Sequence, residues 1–296
     1  MLSRALACFC LLILSLPLTA QVYKCNFGSS SPRVVVKSVV FRTSVLLPPA
    51  SQRSIQKQLS TLSHAIHKAD WQDTLRSDAE QVVREEYLNR GYLRALVDAE
   101  LLTIADQGNA GTVKLIFSIQ PGKQYRMGII SWRGNSAIPT DQLAATIPIR
   151  AGEIFQRQKI AAGLESLREL YQSRGYVNFT SVPTPIVDEQ RRTVSFDIDI
   201  DEGRQFFFGD LDLNGIEPAH AQILLSAWSK LNGKPCDPKA ADEFFKRYFR
   251  PLRADIKPKD YVQFRVNERT ATVDYSVSLT RNRALDALIP KQLPGL

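Results

Sequence analysis

A single phrase that returns three times constrains this chain more than anything else in it. "TVKLIFSI", "TVSFDIDI" and "TVDYSVSL" begin at Thr112, Thr193 and Thr272, about 80 residues apart. Every second residue is apolar (Val113, Leu115, Phe117, Ile119; Val194, Phe196, Ile198, Ile200; Val273, Tyr275, Val277, Leu279), and the residues between are mostly polar. That alternation marks a half-buried strand. The period is too long for a hairpin, so it predicts a whole module used three times.

The second copy shows what one module contains. "YRMGIISWRGN" (125–135) reads as a strand ending at the Gly134-Asn135 turn. Pro139-Thr140-Asp141 then opens a short helix through Leu143 and Ile147, with Thr140 as the expected N-cap. Ile160, Leu164, Leu167 and Tyr171 form one face of a second helix. "YQSRGY" should stop it: Gly175 can turn left-handed, and Tyr171 and Tyr176 occupy the positions that touch in a Schellman closure. "VNFTSVPTPIV" (177–187), a charged turn and the repeated phrase complete the module.

The first copy follows the same plan. It has a strand "RVVVKSVVF" (33–41), helix faces through Ile55, Leu59, Leu62 and Ile66 and then Leu75, Ala79, Val82 and Leu88, the stop "YLNRGY", and a long strand over 93–104. The third diverges. A strand over 206–216 and a helix over 219–228 precede an aromatic helix (Phe244, Phe245, Tyr248, Phe249), but Pro251 stands where the glycine turn belongs. "QPGKQYRMG" and "DEGRQFFFG" repeat at the junctions, so the modules abut with almost no linker. The class is α+β, as three tandem β-α-α-β-β modules over 33–122, 123–204 and 205–281. A segment over 21–32 precedes them and a tail over 282–296 follows.

Residues 1–20 read as a signal peptide: Arg4, an apolar run to Leu18, and a small residue at Ala20. The run falls short of the roughly 20 apolar residues a spanning helix prefers. The chain carries a net charge of +8, enough to favour an anionic neighbour. Cys25 and Cys236 remain beyond the leader; export permits a bond, but the array would have to fold back to make it.

Three such modules behind a leader resemble POTRA domains, the polypeptide-transport-associated repeats of outer-membrane barrel assembly proteins. The resemblance is carried by "SRGYVNFTSV", "TVSFDIDIDEGRQFFFGDLDLNG", "NRGYLRALVDAEL" and "QPGKQYRMGIISWRGN" and spans about 33–280. It implies a three-stranded mixed sheet, in strand order first-third-second, packed against two helices. The second strand then lies at an edge, where an extended polypeptide could add main chain to main chain. Pro183 and Pro185 should shorten such pairing in the second module. The expected polypeptide-binding edge is therefore Leu93, Ala95, Val97, Ala99 and Leu101 of the first.

Family members commonly continue into a membrane barrel, and the residues after Thr280 are too few for one. The expectation is a periplasmic array that binds unfolded outer-membrane protein clients, either beside a separately encoded barrel or as a gene fragment that lost one. A scaffold of envelope or division complexes is the alternative.

Other signals have plainer readings. His64, His67 and Asp70 share a helix face that could begin the metal site of an exported enzyme, but no Cys or Glu cluster completes it. Asp197, Asp199 and Asp201 read as a solvated strand face rather than a calcium site. Lys246, Arg247, Arg250, Arg253, Lys257 and Lys259 form a candidate basic docking patch for an acidic partner or anionic lipid headgroups. Its aromatics belong to a core and the leader exports the chain, which argues against nucleic acid. No nucleophile-base-acid set, phosphate loop or dinucleotide fingerprint is present, so neither an enzyme nor a cofactor is expected.

Overall fold

The computed structural model describes residues 33–63, 71–106, 110–249 and 261–278. The expected leader over 1–20, Cys25, Ile66, the His64–His67–Asp70 group, Pro251 and residues 279–296 lie outside them. Three sheets follow one another. The first comprises β1 (Arg33–Thr43), β2 (Leu96–Asp106) and β3 (Ala110–Gln120), with α1 (Pro49–Ser63) and α2 (Trp71–Leu88). The second comprises β4 (Arg126–Arg133), β5 (Thr180–Asp188) and β6 (Thr193–Asp201), with α3 (Thr140–Thr146) and α4 (Arg157–Gln172). The third comprises β7 (Phe207–Asn214), β8 (Val262–Asn267) and β9 (Thr272–Ser278), with α5 (Pro218–Trp228) and α6 (Pro238–Tyr248).

In every sheet the third strand of the module sits in the middle, parallel to the first and antiparallel to the second. The repeated phrase is thus the central strand three times. Its alternate residues Val113, Leu115, Phe117 and Ile119, then Val194, Phe196, Ile198 and Ile200, then Val273, Tyr275 and Val277, are all buried. Each full side chain of this kind withdrawn from water contributes about 1.5–3 kcal/mol before entropy is set against it. Each module has a core of its own, closed by its two helices.

Two local expectations need correction. Thr140 is the first helical residue of α3, not its cap; Pro139 takes that position with φ −61° and ψ 147°, and no side chain caps the helix. On α2 the buried stripe is Leu75, Ala79, Val83 and Tyr87, a strict spacing of four, so Val82 and Leu88 lie beside it, half-buried.

The Arg-Gly-Tyr turns close as Schellman motifs. Tyr92 N–H donates to Tyr87 O and Gly91 N–H to Leu88 O; Tyr176 N–H donates to Tyr171 O and Gly175 N–H to Gln172 O. The tyrosine pairs meet edge-on at 5.8 Å in both copies. These turns also hold the next module. Tyr125 N–H donates to Gly91 O and Phe206 N–H to Gly175 O, each at 2.8 Å. Gln124 Nε2 donates to Arg90 O at 2.9 Å, and Gln205 Nε2 to Arg174 O at 2.8 Å. Leu93 and Val177, just past each turn, pack against the following module's core.

A third contact repeats from the opposite direction. The β5–β6 turn sends Glu189 back to Arg94 at 2.6 Å and to the Tyr125 hydroxyl, and these partners, Tyr125 first, hold its carboxyl below the usual range. The β8–β9 turn sends Glu268 back to Asn178 Nδ2 at 3.4 Å, while its carbonyl accepts from Arg204.

Candidate strand-docking edge

β2 is an edge strand of eleven residues with no proline, paired to β3 from Leu96 to Asp106. Of the residues expected to form its binding edge, Val97 and Ala99 lie on the strand with side chains buried among the helices, and Leu101 is half-buried on the same face. Ala95 is buried just before the strand begins, and Leu93 sits in the preceding turn against the second core. What these residues offer outward is main chain, not side chains.

The side chains on show are those between them. Leu96, Leu102 and Ile104 are 65%, 42% and 50% exposed, and Asp98 and Glu100 alternate with them. The alternation that buried one set exposes the other, so the sequence held this signal as well. Ile104 sits at a bulge, where the register with β3 shifts between Thr103 and Ala105.

In an antiparallel pair, alternate residues turn N–H and C=O toward the partner strand or away from it. Ala99 N–H donates to Glu80 Oε1 of α2 at 3.0 Å, so the residues turned outward are Val97, Ala99 and Leu101. The second module agrees in register. Ala99 lies opposite Phe117 and Leu101 opposite Leu115; at the matching places of β5, Pro183 lies opposite Ile198 and Pro185 opposite Phe196. Prolines there remove outward donors and leave the inner ladder whole. The β8 edge is shorter, with Gln263, Phe264 and Arg265 exposed.

The opposite edge is partly occupied in two modules. Met127 N–H donates to Glu153 O and Gly152 N–H to Met127 O, so the α3–α4 loop pairs with β4. Phe208 N–H donates to Lys234 O and Gly233 N–H to Phe208 O, and the α5–α6 loop does the same for β7.

The basic patch is only partly described. Lys246 is exposed but paired with Asp242 at 2.5 Å, and the Arg247 guanidinium lies 5.7 Å from the Tyr248 ring centre. Arg250, Arg253, Lys257 and Lys259 lie outside the described residues. The aspartate row has a protein partner: Arg133, closing β4, reaches Asp199 at 2.8 Å and Asp197 at 3.4 Å. Among the described residues no group of three or more His, Cys, Asp or Glu could hold a metal ion. Cys236 is buried in the third core, its thiol pushed up to about 11 by burial.

A β-α-α-β-β module with its third strand in the centre is a POTRA fold, and the chain is a tandem array of three. Residues 125–203 match the POTRA family, described as surface antigen variable number repeat. The fold is that of the Haemophilus influenzae BamA POTRA3-5 crystal structure, at a TM-score of 0.55 and 18% identity over 83% of this chain and 98% of that one. Among curated proteins, a Treponema pallidum protein named provisionally as an outer membrane protein assembly factor is 25% identical over 214 residues. The outer membrane protein assembly factor BamA of Neisseria meningitidis serogroup B is 22% identical over 157. The matches span 67% and 52% of this chain but only 25% and 19% of those two proteins.

Proposed function

We propose that this chain assists outer-membrane protein assembly from the periplasm by holding extended polypeptide along the β2 edge. The relatives are named for outer-membrane protein assembly, which supplies the process. The observation that carries the mechanism is β2 itself: a long, proline-free edge whose outward main chain is flanked by exposed Leu96, Leu102 and Ile104. An incoming strand gains main-chain hydrogen bonds that make no demand on sequence, together with apolar contact to alternate side chains. Clients are unfolded barrel precursors, whose strands alternate in the same way.

The test borrows from the second module. Leu101→Pro places a proline where β5 carries Pro185, removing an outward donor without breaking the ladder to β3. The variant should fold, and its affinity for extended peptides taken from barrel strands, read by fluorescence anisotropy, should fall about tenfold. Unchanged affinity would remove β2 as the binding edge.

A further inference from the structure

Glu80 does not belong to the β2 strand, yet it occupies the strand's pairing position. It projects from α2, which packs along β2, and its Oε1 accepts the Ala99 N–H at 3.0 Å. Ala99 is central among the three outward-turned residues of the regular part of the edge. A carboxylate oxygen there stands in for the backbone carbonyl of an added strand. The hydrogen bond is charge-assisted, and its acceptor is tethered to the same module, which spares it the entropy an incoming chain must lose.

The second module reaches the same end by other means. The residue matching Ala99 in register is Pro183, which has no N–H to offer. The residue matching Glu80, seven before the tyrosine of the glycine turn, is the apolar Leu164. Where a proline silences the donor, no guard is present; where the donor exists, a carboxylate covers it. Unpaired edge donors invite unwanted strand pairing, and both devices answer that hazard at one register position.

We infer that Glu80 is an edge guard: it occupies the Ala99 pairing position in the free protein and must swing away before a polypeptide strand can add to β2. This rests on the strand-addition reading, and it makes β2 a gated edge rather than a permanently open one. The competitor is any extended segment that brings a carbonyl to Ala99.

Two readouts on the whole chain test it. Glu80→Ala frees the donor, and Glu80→Gln keeps an acceptor oxygen as the control. Without ligand, amide hydrogen exchange at Ala99 should speed up about 3- to 10-fold in Glu80→Ala and by clearly less in Glu80→Gln, which keeps a neutral acceptor. With an extended peptide from a barrel strand, Glu80→Ala should bind about 3- to 10-fold tighter than wild type. If Ala99 exchange does not change, or changes while affinity stays level or falls, the guard is overturned and strand addition stands. If no peptide protects β2 in either the wild type or Glu80→Ala, strand addition fails and the guard fails with it.

Discussion

Glu202 shows how much one residue can hold. It is buried just past the end of β6, and accepts from Ser136 N–H and Oγ at 2.9 and 2.5 Å, from Ala137 N–H at 2.9 Å, and from the Tyr171 hydroxyl at 2.8 Å. Burial pushes its pKa up, but the donors from Ser136, Tyr171 and Ala137 outweigh it and leave the carboxyl below its ordinary value. A carboxyl depressed in the folded state contributes stability above its unfolded pKa and loses it as pH falls through the folded one. The second module should therefore weaken below about pH 4.5, more steeply than in Glu202→Gln, when thermal unfolding is followed from pH 7 to 3. At pH 7 the glutamine variant, which turns an NH2 toward these donors, should already be about 1–3 kcal/mol less stable. None of this was legible in the sequence, because the matching residue of the first module is Pro121 and no repeat flags position 202.

At the scale of elements, the sequence was most legible where burial imposes a strict period. The central strands were plain because each is covered on one face by helices. The short β8, "VQFRVN", carries no such period: Phe264 and Arg265 both face solvent, so its pattern is weak. The glycine turns were legible as helix stops, but their second role was not, since it depends on partners more than thirty residues away. The repeated Gln124 and Gln205, one before Tyr125 and Phe206, were the available signal. Gly91 and Gly175 sit at φ +80° and +87°, and a Cβ on Gly91 would lie 2.5 Å from Tyr125 O, with Phe206 O closer still to one on Gly175. Gly175→Ala should cost about 2 kcal/mol in thermal unfolding and speed amide exchange at Phe206, because strain and collision act on the same turn. Gly152, at φ +88° with open space around it, gives the comparison: Gly152→Ala carries the backbone strain alone and should leave Phe206 exchange unchanged.

Across the whole molecule, both junctions use the same parts: a glycine-turn carbonyl, a glutamine amide, an apolar residue past the turn, and a glutamate returned from the next hairpin. Exposed pairs such as Lys239 with Glu169 add little to this. The backbone bonds, which are shielded and directional, set how one module meets the next. The edge was legible only in part. Its location followed from strand order and the absence of proline, whereas its exposed residues and its guard required the register with β3. The most direct measurement is residue-resolved hydrogen exchange on the whole chain, with and without an unfolded outer-membrane barrel precursor. Strand addition to β2 should slow exchange at the outward amides of Val97, Ala99 and Leu101, with Pro183 and Pro185 leaving β5 without matching protection. Protection confined to other surfaces, or none on β2 at saturating precursor, would contradict it.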